Sequence, residues 1–176
     1  MAVRVKGFAS PEAAALALGV ALGEAQERLE KLAANDLVKA TRLGSSLTPS
    51  GAEALEGLLA EEGLRDDADL RDCYTARFVD VDRRVKKLTT EWQHSPDHRV
   101  VDALIANHDK ASSCLKKIGA RAERYVPYKA RLDACVSRLH EGDDTAFMSR
   151  SGENYHQVWW ELHTDLLTTL GLERED

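Results

Sequence analysis

The run from Leu37 to Gly51, L-V-K-A-T-R-L-G-S-S-L-T-P-S-G, constrains the fold of this chain more than any other segment. A helix is predicted before it, Ala21 to Ala34, because Leu22, Ala25, Leu29 and Leu32 recur at helical spacing. Another is predicted after it, Pro49 to Glu62, with Ala52, Leu55, Leu58 and Leu59 inward. Between them, Leu37 to Arg42 reads as a short strand, Gly44-Ser45-Ser46 as a turn, and a second short strand ends at Leu47. Thr48 ahead of Pro49 is an N-cap followed by proline at the first helical position, where its missing N–H has no partner to lose. Ser10-Pro11-Glu12 repeats that signal and starts a helix, Pro11 to Leu18, that ends at Gly19. Ala2 to Phe8 fits a short first helix, and Asn35 a left-handed C-cap.

Two helices across a glycine turn, a two-stranded ribbon and a capped helix together outline a winged helix-turn-helix. The segments Asn35-Asp36-Leu37-Val38 and Leu47-Thr48-Pro49-Ser50-Gly51 resemble those that enter and leave the wing in MarR-like transcriptional regulators. Four more segments extend the likeness: Val5-Lys6-Gly7-Phe8-Ala9, Trp92-Gln93, Asn107-His108-Asp109, and Tyr155-His156-Gln157-Val158-Trp159-Trp160-Glu161-Leu162-His163. With these, the whole chain resembles an actinobacterial MarR-like winged-helix family with a helical C-terminal half. Similar segments of that family are attached to phosphoenolpyruvate-utilising enzymes. The resemblance implies a transcriptional regulator that binds DNA.

Gly63 is the natural boundary, giving a winged helix-turn-helix over residues 1–63 and an antiparallel helical bundle over 64–176, so the fold class is mostly α. Leu64 to Trp92 contains no Pro or Gly, and Leu70, Cys73, Tyr74, Arg77, Phe78, Val81, Val85 and Leu88 form one stripe. That predicts a single helix about 40 Å long, suited to building a homodimer. Further helices are predicted through Val100 to Ile105, through Cys114 to Ile118, over Tyr128 to His140, and over Asn154 to Leu170. Asn107-His108-Asp109 reads as a junction and Gly119 as a divider.

Base edges are read by Arg, Lys, Asn and Gln. On the predicted recognition helix the candidates are Gln26, Arg28 and Lys31; the wing adds Lys39, Arg42, Ser45 and Ser46. Glu24, Glu27 and Glu30 share that helix, and residues 1–63 carry 6 basic against 9 acidic side chains, an unusual balance for a strong phosphate binder. A protein-docking or purely structural winged helix is therefore one alternative, and a ligand- or metal-binding helical domain is another. In the second region, two of three tryptophans and two of six histidines fall between Asn154 and Asp165. Trp92, His108, Tyr155, His156, Trp159 and His163 have the composition of a small-molecule pocket; the plainer reading is a packed aromatic helix whose imidazoles bond to neighbours. His156 and His163 lie about 10.5 Å apart along a helix, too far for one metal ion. Pro96 interrupts the His94/His98 pair, and the basic run Lys116 to Arg131 reads as solvated helix faces.

No phosphate-binding loop, nucleophile elbow or H-E-x-x-H motif is present, so no catalytic residues, metal or cofactor are predicted. Cys73, Cys114 and Cys135 are widely spaced on apolar stripes, the pattern of reduced, inert thiols in a cytoplasmic protein. The first residues lack an apolar core and no run approaches membrane-span length, so neither export nor membrane insertion is expected.

Overall fold

The computed structural model describes residues 1–150 and 152–173. The chain is mostly helical with one small two-stranded antiparallel sheet. By contact it divides into two compact units: Met1–Asp66 with the described residues from Thr164 onward, and Asp67–His163. The division cuts the last helix between His163 and Thr164, whereas the sequence boundary at Gly63 assigns that whole helix to the second region. Among the described residues no helix is long and apolar enough to cross a membrane.

The first unit runs α1 (Ala2–Lys6), α2 (Pro11–Leu18), α3 (Leu22–Ala34), β1 (Val38–Thr41), β2 (Gly44–Leu47) and α4 (Pro49–Glu62). The starts of α2 and α4 are set by local capping. The Ala13 amide donates to Ser10 Oγ at 3.2 Å and the Gly51 amide to Thr48 Oγ1 at 2.9 Å. Val3, Ala9, Ala14, Ala15, Ala25, Leu29 and Val38 form its buried core. Strand β1 pairs with β2 in the register Val38 opposite Leu47 and Thr41 opposite Gly44.

Two expectations for this unit are corrected. The hairpin turns at Arg42-Leu43, not at Gly44-Ser45-Ser46, which lie in β2. Thr41 closes that turn, its hydroxyl donating to the Gly44 carbonyl at 2.6 Å and accepting from the Leu43 amide at 3.2 Å. Gly44 serves a distant neighbour instead: a Cβ there would meet the Ala9 carbonyl carbon at 2.6 Å. Its absence lets Ala9 and Ser45 exchange backbone hydrogen bonds at 2.9 and 2.8 Å. After α3 the left-handed residue is Asp36 (φ 56°), not Asn35, whose side-chain amide donates to the Lys31 carbonyl at 2.8 Å.

The predicted 64–92 helix is interrupted. Leu64–Asp66 is a short 3-10 turn, and Asp67 caps a new helix, α5 (Ala68–Cys73), accepting from the Leu70 amide at 2.7 Å. A π-helical turn, Tyr74–Phe78, joins α5 to α6 (Val79–His94). Then come α7 (His98–Gly119), α8 (Val126–His140) and α9 (Tyr155–Leu170). Asn107-His108-Asp109 is no junction: it lies mid-helix in α7, with Asn107 and His108 buried. Asn107 donates to the Val81 carbonyl at 3.3 Å, so its polarity serves α6 rather than a chain break.

Candidate functional site

The exposed face of α3 and the hairpin form the first candidate surface. Ala25 and Leu29 hold α3 to the core, which leaves Gln26, Arg28 and Lys31 exposed. Each is engaged along its own helix: Arg28 with Glu24 at 2.6 Å, Lys31 with Glu27 at 2.6 Å, and Gln26 donating to Glu30 at 3.0 Å. Three glutamates thus face two cations on this helix. On the hairpin, Lys39 and Arg42 are exposed and Ser45 is half-buried. Ser46 departs from its predicted role. It is buried, its hydroxyl has no hydrogen-bond partner among the described residues, and no nucleic acid can reach it there.

The second candidate is a buried polar array within Asp67–His163. The π turn widens the helix by one residue, and it carries Tyr74 and Phe78, which meet Trp159 and His163 of α9. Phe78 stacks on Trp159 with ring centroids 4.9 Å apart, and Trp159 stacks on Tyr155 at 6.0 Å. Two Tyr–His–Asp chains flank this stack. In one, Tyr74 Oη and His163 Nε2 are 3.1 Å apart and His163 Nδ1 lies 3.1 Å from Asp82 Oδ1, which also accepts from Trp159 Nε1 at 2.9 Å. In the other, Tyr155 Oη lies 3.3 Å from His108 Nδ1, and His108 Nε2 lies 3.0 Å from Asp133 Oδ1. A carboxylate only accepts, so the nitrogen facing each aspartate carries a proton. A third group is ionic: Arg131 contacts Glu153 at 2.7 Å and Glu161 at 2.8 Å, with Arg131 and Glu161 both buried.

Electrostatics follow this wiring. Burial would raise Asp82, but hydrogen bonds from His163 and Trp159, with the nearby Lys86, outweigh it and hold the carboxyl below its usual range. Burial lowers His108 despite Asp133, so its imidazole favours the neutral form. Burial alone lowers His156 and is the leading cause that raises the Tyr155 hydroxyl. Desolvation works against the Arg131 charge, yet its two glutamates outweigh it and raise the guanidinium.

The structure therefore brings together four of the six predicted pocket residues: His108, Tyr155, Trp159 and His163. The other two meet Phe147 instead, Trp92 by ring contact at 5.2 Å and His156 through its amide, which donates to the Phe147 carbonyl at 3.1 Å. The four central side chains spend their polar atoms on one another and on Asp82, Asp133 and Tyr74. Two clefts of this unit are lined by other residues, one of about 530 Å³ beside Cys73 and one of about 440 Å³ between Arg84 and Lys110. Among the described residues no three His, Cys, Asp or Glu side chains converge as a metal site. Sequence reasoning missed Tyr74, Asp82 and Asp133 as histidine partners, since each pairing joins distant segments. No protein-family model, curated protein or solved structure matches this chain.

Proposed function

We propose that this chain is a cytoplasmic, dimeric transcriptional regulator that binds DNA through a winged helix-turn-helix formed by Met1–Asp66. One observation carries the reading. Gln26, Arg28 and Lys31 on α3 and Lys39 and Arg42 on the hairpin all stand exposed on a unit ordered as three helices, ribbon, helix. In this arrangement α3 enters the major groove and the hairpin meets the flanking phosphates. The ion pairs on α3 are exposed and therefore individually weak, so a phosphate can displace the glutamate partners. The unit Asp67–His163 supplies dimerisation, and its buried Tyr–His–Asp chains keep the helices in one arrangement.

The test is a titration of the purified chain with duplex DNA across a salt series. Affinity falls steeply with salt, and Arg42→Gln weakens binding and lowers the logarithmic salt slope by about one. A complex indifferent to salt contradicts the reading.

A second reading rests on the glutamates. Because Glu24, Glu27 and Glu30 each engage a neighbour on α3, that face is close to neutral and suits a protein partner. It predicts a complex with protein that survives high salt and duplex DNA that does not bind.

A further inference from the structure

Cys73 is the last residue of α5 and Cys114 lies in α7. Both are buried, unbridged thiols, and their sulfurs are 2.9 Å apart although 41 residues separate them in sequence. Each sulfur also lies near the other residue's carbonyl oxygen, at 3.7 and 3.8 Å. Their surroundings differ. Cys73 lines the cleft of about 530 Å³ together with Asp69, Asp72, Arg77, Lys117 and Arg121, whereas Cys114 does not line it. One thiol thus faces an entrance and the other stands directly behind it. Thiol–disulfide exchange needs that order, an attacking sulfur with access and a resolving sulfur within reach.

We propose that Cys73 and Cys114 form a reversible dithiol centre that exchanges with low-molecular-weight disulfides carrying a carboxylate, admitted through this cleft. The Cys73 thiolate attacks one sulfur of the incoming disulfide. That S–S bond breaks, one half leaves as a thiolate, and a mixed disulfide forms on Cys73. Cys114 then gives up its proton to solvent and attacks the Cys73 sulfur, expelling the second half as a thiolate. Two protein thiols are oxidised to one disulfide, and one substrate disulfide is reduced to two thiols. Excess small thiol drives the reverse. The protein sulfurs need to approach by less than about 1 Å to reach the bonded distance of about 2.05 Å.

The charge pattern assigns the roles. A hydrogen bond from Cys114 is the chief cause lowering Cys73; burial opposes it, and Lys117 and Arg77 add to it. That same hydrogen bond and burial raise Cys114. Asp69 and Asp72 also line the cleft, but Arg121 is paired with Asp67 and Asp69, which leaves Arg77 and Lys117 as the cations nearest the entrance for a carboxylate. Cys135, raised mainly by burial to about 11, has no such setting.

The experiment treats the reduced, folded protein with 5,5′-dithiobis(2-nitrobenzoate), a disulfide with two carboxylates and a coloured leaving thiolate. The wild type should release two equivalents in its fast phase, retain no adduct on Cys73 or Cys114, and yield a proteolytic peptide linking the two. Cys114→Ser should release one equivalent and keep the adduct on Cys73, and Cys73→Ser should lose the fast phase. Its rate should rise with pH around a midpoint near 7, against 9.0 for an ordinary thiol. Lys117→Gln should slow attack on this reagent severalfold while leaving attack on neutral bis(2-hydroxyethyl) disulfide unchanged. A stable wild-type adduct without the linked peptide, or first reaction at Cys135, overturns the proposal without any variant needing to fold. Linked peptides with no effect of Lys117→Gln overturn the carboxylate-bearing substrate class.

Discussion

Gly51 offers a sharp test of how the N-terminal unit is built. A Cβ at this position would sit 1.8 Å from the Leu37 carbonyl oxygen and 2.7 Å from its carbon. Both obstacles are backbone, so no rotamer change relieves them; α4 must back away by roughly 1.6 Å to restore ordinary contact. That retreat strains three hydrogen bonds at once: Thr48 Oγ1 to the Asp36 carbonyl at 2.5 Å, the Thr48 amide to the Leu37 carbonyl at 3.1 Å, and the Gly51 amide to Thr48 Oγ1. Overpacking costs about 1–3 kcal/mol and a lost cap about 1 kcal/mol more, so Gly51→Ala should destabilise by about 2–4 kcal/mol. Gly57 is the control. It lies six residues on in the same helix, is exposed, and has nothing within 4 Å of its would-be Cβ. Gly57→Ala should therefore stabilise by about 0.5–1 kcal/mol. Urea unfolding followed by far-ultraviolet circular dichroism reads both variants. Trp92, Trp159 and Trp160 all fall within Asp67–His163, so tryptophan fluorescence reports that unit alone. Gly51→Ala should move the dichroism midpoint more than the fluorescence midpoint. If the two alanine variants shift the dichroism midpoint equally, the close approach of α4 to Leu37 is wrong.

Further outcomes concern the buried array. Arg131→Met leaves Glu161 buried without its cation and should cost about 3–5 kcal/mol by urea unfolding; adding Glu161→Gln should recover part of that loss. His108 has its folded pKa lowered, so the unfolded chain takes up the proton first as pH falls below about 6.5. Its contribution is complete above that pH and declines below it, and His108→Gln should flatten the loss of urea midpoint between pH 7 and 5. Asp82 has a depressed folded pKa, so its contribution is present above the ordinary carboxylate range and vanishes as pH falls through the folded value. Asp82→Asn should cost about 1.5–3 kcal/mol at pH 7 and little at the acid limit, checked by the same fluorescence curves.

What was legible in the sequence is what local chemistry dictates. Ser10-Pro11 and Thr48-Pro49 announce helix starts because a cap acts within three residues of itself. Features set by distant neighbours were not. Gly44 looks like a turn residue by composition, yet the Ala9 backbone is what excludes a side chain there. Asp67 is one acid in an acidic run, and only its bond to the Leu70 amide distinguishes it as a cap. The π turn adds a residue to the helical repeat, so the apolar stripe predicted through Arg77 and Val81 gives way to one that buries Asp82 and leaves Arg77 exposed. The aromatic and imidazole residues of α9 were visible as a cluster. His108 was grouped with them, but Tyr74, Asp82 and Asp133 were not, because their pairings join distant segments. Cys73 and Cys114 show no spacing signal across 41 residues, and nothing in the sequence marks them as neighbours.

The most direct test of the central claim is selection of genomic fragments by the purified chain, followed by sequencing, at two salt concentrations. A DNA-binding regulator should enrich a two-fold symmetric site at low salt, lose much of that enrichment at high salt, and lose it again on Arg28→Glu. No enrichment at low salt would contradict the account and leave the α3 face to a protein partner.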